Sequence, residues 1–197
     1  MKKYSEKEMI IFSGVIKLAK SGVPLTEITA RQIAEAAGIG KATIYDYFSS
    51  KEEILVHAMV YALQQQLEIT NSRLEEIDSF KGKMTYIYND IIDKAQDSFS
   101  AFSFISSIGG PEKIRSFFNE TGHCRMVNET LKGIGTTMAA VLEYGRQTGV
   151  ISVTDKEYSY MVVSGNISAV SAARTEKRFS REKICETAYK MLVKSMN

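Results

Sequence analysis

The chain has 197 residues, 44% of them hydrophobic, with 25 Lys/Arg against 23 Asp/Glu for a net charge of +2. That length fits one compact unit or a small head on a larger body, and the apolar share is ample for a core, which argues against a disordered chain. No apolar run approaches the roughly 18 residues of a membrane span and no charged-then-apolar start marks a signal peptide. Cys124 and Cys185 form no metal-ligand spacing, so a cytoplasmic protein with reduced thiols is expected.

Only two prolines, Pro24 and Pro111, interrupt the chain, which leaves long segments for helices. Residues 1–4 form a short basic tail carrying Lys2 and Lys3. Ser5 with Glu8 is a capping box for a first helix, Glu6 to about Ser21, whose Met9, Phe12, Val15, Ile16 and Ala19 line one face. Gly22 ends it, and Val23-Pro24 cannot continue it.

The stretch from Thr29 to Lys51 reads as two short helices joined by a tight turn. Thr29 with Gln32 makes a second capping box, so a helix starts at Ala30, with Ile33, Ala34 and Ala37 at helical spacing. Gly38 supplies a left-handed residue to end it. After Gly38-Ile39-Gly40 another helix starts at about Lys41 and is expected to bury Ile44, Tyr45 and Phe48. Alanines 34, 36 and 37 are expected to let these two helices cross closely. Two helices and a Gly-containing turn of about three residues make a helix-turn-helix, whose second helix enters the DNA major groove. The first helix should brace this pair from behind, giving a three-helix head.

The run ITARQIAEAAGIGKATIYDYFSSKEEIL resembles the DNA-binding signature of the TetR (tetracycline-repressor) family of bacterial transcriptional regulators. The resemblance rests on Ile33-Ala34, Ala37-Gly38, Thr43-Ile44-Tyr45, Phe48 and Lys51 followed by Glu52-Glu53. Two positions depart from the usual pattern: Gly40 stands where a serine is common, and Asp46 puts an acid on the recognition helix. The resemblance implies an all-α fold of about nine helices. In it a DNA-binding domain, residues 1–50, is joined to a ligand-binding and dimerisation domain, residues 51–197.

Ser50 with Glu53 is a capping box for a fourth helix running to about Glu76, with Ile54, Leu55, Ala58, Ala62 and Leu63 on an apolar side. Gln64, Gln65 and Gln66 read as solvated, and His57 as an ordinary surface or hinge position. Ser79 starts a fifth helix with Met84, Ile87, Tyr88, Ile91, Ala95, Phe99 and Phe102 on one stripe. Asp90, Asp93 and Asp97 form its solvated side. SAFSFISSIGG reads as a short helix ending in a turn, and Pro111 opens another that carries Ile114, Phe117 and Phe118.

A long helix follows from Arg125 to about Thr148, ended by Gly149, with Met126, Leu131, Ile134, Met138, Leu142 and Gly145 as a mainly buried stripe. Thr154 with Glu157 caps the next, to about Thr175. Its Ser164, Gly165, Ser168, Ala169 and Ala172 are small residues three or four apart, which permits close approach of another helix. Ser180 caps a terminal helix with Ile184, Ala188, Met191 and Leu192 on one face.

No catalytic constellation appears: there is no phosphate loop, nucleophile elbow or metal-spaced cluster. His123 and Cys124 are adjacent, and adjacent helical residues do not face each other. Neither an enzyme nor a cofactor is expected. The charge balance is a weak guide, since residues 1–60 hold eight Lys/Arg against seven Asp/Glu. Placement is the better one, because Lys2, Lys3, Arg31, Lys41 and Lys51 fall on the tail, at helix starts or in the helix-turn-helix.

Lys41, Ala42 and Thr43 open the recognition helix and are the candidates for base edges, through lysine to guanine and methyls to thymine. Tyr45 and Tyr47 offer hydroxyls to phosphate, with Tyr45 partly core. Thr29 joins this set. Arg31 is a candidate for guanine or for phosphate. Lys51, by resemblance, contacts phosphate at a helix N-terminus that itself favours an anion.

The resemblance further implies a homodimer through the last two helices, with Ser164, Gly165, Ser168, Ala169, Ala172, Ile184 and Ala188 at the interface. An intramolecular core contact is the alternative for these residues. It also implies a small-molecule pocket in the body, with Phe99, Phe102, Phe117, Phe118, Met126, Met138 and Tyr144 as candidate linings for an apolar or aromatic effector; ordinary core is the alternative reading of each. The expected function is a repressor released from a near-palindromic operator when the effector spreads the two heads. A helical protein-interaction module with a structural helix-turn-helix is the rival.

Overall fold

In the computed structural model the described residues are 3–25, 27–94, 124–176 and 178–197. Among them are eight α-helices and no strand: α1 Glu6–Lys20, α2 Ala30–Ala37, α3 Lys41–Tyr45, α4 Lys51–Glu75, α5 Phe80–Lys94, α6 Cys124–Gln147, α7 Lys156–Ala173 and α8 Arg181–Ser195. The all-α expectation holds. The helices expected in SAFSFISSIGG and after Pro111 lie outside the described residues. The chain divides into two compact units, Met1–Glu68 with Asp97–Gly133 and Ile69–Gln96 with Ile134–Asn197.

The first unit is built by local signals. Ser5 accepts from Glu8 N–H while the Glu8 carboxylate accepts from Ser5 N–H at 2.7 Å, which fixes the start of α1. Thr29 and Gln32 repeat the arrangement on α2. Gly38, at φ 68°, ends α2 in the left-handed conformation, and Ile39 N–H then reaches back to the Ala34 carbonyl at 3.0 Å. Ile11, Phe12, Val15, Ile28, Ile33, Ala34, Ile44, Phe48, Ile54, Leu55 and Ala58 form the core.

One close helix approach among the described residues of this unit is set by Gly14. It is α1 against α2: a Cβ on Gly14 would stand 2.9 Å from the Ile33 carbonyl oxygen and 3.0 Å from Ala37 Cβ. Ala37 of α2 therefore admits α1, the helix expected to brace the pair from behind.

His57 and Gln64 correct the reading of α4. His57 is only 4% exposed and Gln64 is buried. Every residue from Ile54 to Val60 is buried, so this stretch is covered all round instead of along one stripe. His57 sits among Tyr4, Phe12 and Phe48, with ring centroids 5.7, 6.4 and 5.6 Å away, and its Nδ1 lies 3.2 Å from the Tyr4 hydroxyl. The capping arrangement of α4 is also shifted. Ser50 accepts from Glu53 N–H, but the Glu53 carboxylate accepts from Ser49 N–H at 2.7 Å.

The second unit packs α5, α7 and α8 around Phe80, Met84, Tyr88, Val163, Val170, Ile184 and Leu192, with Val141, Leu142 and Ile151. Gly145 lets α6 approach Phe80, where a Cβ would meet the ring at 2.7 Å. Asp155, and not Thr154, caps α7, its carboxylate accepting from Tyr158 N–H at 2.7 Å. Adjacent Thr and Asp are both competent caps, and the acid also suits the positive end of the helix. Asp93, read as solvated, pairs with Arg181 across α5 and α8. Leu131 and Ile134, expected in a buried stripe, are exposed by 45% and 43%. The C-terminus closes the unit, since the Met196 carbonyl accepts from Ser152 and Val153 N–H at 3.0 Å each.

Candidate nucleic-acid interface

α2 and α3 each bury one side and expose the other. Ile33, Ala34, Ile44 and Phe48 are buried, while Arg31, Lys41, Ala42, Tyr45 and Tyr47 are exposed and Thr43 is half-buried. Tyr45 is thus corrected: at 50% exposure its ring belongs to the surface, because the five residues of α3 turn only Ile44 fully inward. Tyr47 is 43% exposed. Lys41 and Tyr45 share one face of α3, with the Lys41 ammonium 6.0 Å from the Tyr45 ring centre.

Gly40 is the N-cap of α3 and has no side chain to give, so the amides that open this helix meet no capping oxygen from it. Thr29 is exposed, but its hydroxyl is engaged with Gln32 in the α2 cap. Its role is to set the start of α2, two residues before Arg31. Arg31 donates from Nε to Glu35 at 2.8 Å, and this carboxylate raises the guanidinium pKa further. Lys51 is the first residue of α4, half-buried, with its ammonium 3.9 Å from the Glu52 carboxylate. Asp46 is exposed at the end of α3. The surface therefore mixes cations, hydroxyls, methyls and an acid, which suits selective contact better than uniform attraction to phosphate.

The second unit carries the other expected sites. Gly165, Ser168, Ala169 and Ala172 are exposed on α7 and Ser164 is half-buried. Met161, 72% exposed, lies one turn before Gly165 and extends this uncharged face; it was missed in the sequence because it is large where its neighbours are small. Ile184 and Ala188 are buried within their own unit, and the exposed side of α8 presents Lys183, Thr187 and Met191 instead. A largely apolar groove of about 250 Å3 runs between Ala169, Ala173, Phe179, Lys183 and Met191.

Of the expected effector linings, Phe99, Phe102, Phe117 and Phe118 lie outside the described residues, as does the side chain of Met126. Met138 is half-buried against the second core. Tyr144 is engaged in holding the α4–α5 turn. Its hydroxyl donates to the Asp78 carbonyl at 2.6 Å, and its ring covers the Lys83 ammonium at 4.8 Å while that ammonium donates to the Leu74 carbonyl. Burial pushes the Cys185 thiol pKa up, which leaves it a poor nucleophile. Among the described residues there is no group of three or more His, Cys, Asp or Glu placed to hold a metal, and no helix is long and apolar enough to cross a membrane.

Residues 24–58, which span α2, α3 and the start of α4, match the family model of bacterial regulatory proteins of the tetR family. The fatty acid metabolism regulator protein of Bacillus subtilis (strain 168) is 24% identical over 152 residues, covering 77% of this chain and 74% of its own. The fold is similar to that of the fatty acid degradation regulator FadR from Bacillus halodurans, with a TM-score of 0.70 and 19% identity over 98% of this chain and 97% of that one. It is also similar to FadR from Bacillus subtilis in complex with stearoyl-CoA, with a TM-score of 0.64 and 21% identity over 96% and 97%. The match to the tetR-family model covers the helix-turn-helix segment, and the similarity of fold extends over nearly the whole chain.

Proposed function

We propose that the protein is a sequence-specific DNA-binding repressor that acts as a homodimer and leaves its operator when a small molecule with a large apolar part binds the body. The observation that carries the reading is the division of α2, α3 and the turn after α3 into a buried side, Ile33, Ala34, Ile44 and Phe48, and an exposed side, Arg31, Lys41, Ala42, Tyr45 and Tyr47, within the matched segment. Lys41, Ala42 and Thr43 are assigned to base edges, and Tyr45, Tyr47 and Lys51 to phosphate, with Thr29 setting the register of α2.

The uncharged face of α7, with Met191 and Thr187 of α8, is assigned to the second copy. Small exposed residues there permit close helix contact without desolvating charge. A twofold dimer sets two recognition helices about 34–36 Å apart or somewhat more, so the operator is near-palindromic. The stearoyl-CoA bound by the Bacillus subtilis relative makes a long-chain acyl-CoA the first effector to test. For release, the effector must bind the DNA-incompetent state better, and DNA must weaken effector binding by the same factor.

Footprinting of the purified protein on DNA upstream of its own gene tests the reading. The expected result is one protected region with two related half-sites, from which stearoyl-CoA displaces the protein. Protection of no upstream or other genomic fragment, at low salt too, would sink it.

A further inference from the structure

Arg31 and Glu35 stand one turn apart on the solvent side of α2, opposite buried Ile33. The Glu35 carboxylate accepts from Arg31 Nε at 2.8 Å, and the two side chains are 81% and 62% exposed. Helix stability explains the pair only weakly. A cation at the second residue of a helix opposes the helix dipole, and an acid four residues on the C-terminal side of its cation is the weaker of the two pair orientations. The pair has another geometric consequence. A guanidinium is a rigid planar fork, so a bond at Nε restrains it and leaves the terminal edge, Nη1 with Nη2, for another partner. Two parallel donors on that edge match O6 and N7 of guanine.

We infer that Glu35 is a positioning residue for sequence reading: it holds Arg31 so that the terminal edge meets a guanine in the major groove, in place of a wandering contact to phosphate. The inference rests on the DNA-binding reading and resolves the two roles open to Arg31. It also gives the acid a second effect. A carboxylate close to a duplex repels phosphate at every sequence, while the contact it orients forms at one base only. Both effects widen the gap between the right site and the wrong one.

The test is selection of duplexes from a randomised pool by the full-length protein, run in parallel for Glu35→Gln, Arg31→Ala and the double variant. Wild type should enrich a near-palindromic site with a guanine in each half that Arg31→Ala no longer prefers. Glu35→Gln should hold unrelated duplexes at least as well as wild type, yet discriminate at that guanine about tenfold less. In the Arg31→Ala background, Glu35→Gln should leave base preference unchanged. If Glu35→Gln strengthens binding to every duplex by one factor and keeps the guanine preference intact, Glu35 merely repels and the inference is overturned. Enrichment of no sequence by wild type would overturn the DNA-binding reading and this inference together.

Discussion

The two units expose different chemistry on their helices. In the first, α2, α3 and the turn after α3 bury Ile33, Ile44 and Phe48 and turn Arg31, Lys41, Tyr45 and Tyr47 outward. In the second, α7 turns out Met161, Gly165, Ser168, Ala169 and Ala172, none of them charged. A surface of cations and hydroxyls fits a polyanion whose grooves carry donors and acceptors. A surface of small and apolar residues fits another protein helix. The two surfaces are chemically distinct, so a substitution on one leaves the residues of the other in place.

The largest effect is expected from Gly165→Arg. A Cβ at Gly165 meets nothing within 4 Å, so within one subunit the change is accommodated and favours the helix. At an interface it inserts a charge where two helices meet. Sedimentation should show a monomer, and affinity for a two-half-site operator should fall by about a hundredfold or more as the second head is lost. A dimer that survives unchanged would remove the α7 face from the interface.

Next in size is Gly14→Ala, which tests the packing behind the DNA-facing side. The added methyl would strike the Ile33 carbonyl and Ala37, and backbone atoms cannot swing aside. Denaturant titration should show a loss of about 1–3 kcal/mol. The smallest effect should come from Gly40→Ser, which supplies the side chain that the α3 cap lacks. The Cβ would lie 3.7 Å from Thr43 Oγ1, an ordinary contact, so the first unit should gain a few tenths of a kcal/mol, about the difference between Ser and Gly at an N-cap. Equal stability in a careful melt would mean that the opening amides of α3 are satisfied by water alone.

Much of the first unit was legible because its signals are local. Ser5 with Glu8, Thr29 with Gln32, and Gly38 each act within four residues, and each stands where the sequence places it. What was missed depends on residues far along the chain. His57 looked like a surface residue, yet 54, 57, 58 and 61 fall on one helical face, and the rings that cover it come from positions 4, 12 and 48. Gln64 was misread because a run of glutamines suggests water, while burial is decided by what packs against the helix. Asp155 replaced Thr154 as cap because adjacent competent residues leave the register open by one. In the recognition surface, the residue types of Arg31 and Lys41 were readable, but the Glu35 partner of Arg31 needed coordinates to show which guanidinium edge it occupies.

The first unit is proposed to meet DNA through α2, α3 and the start of α4, and one variant tests this directly. Lys51→Glu replaces a cation with a residue that suits the first turn of a helix, so α4 should stay formed. Binding of wild type and variant to the same upstream duplex should be measured by fluorescence anisotropy across a salt series. The account predicts a loss of about tenfold or more at low salt, similar on every sequence, and a salt slope shallower by about one. Unchanged affinity with an unchanged slope would contradict it.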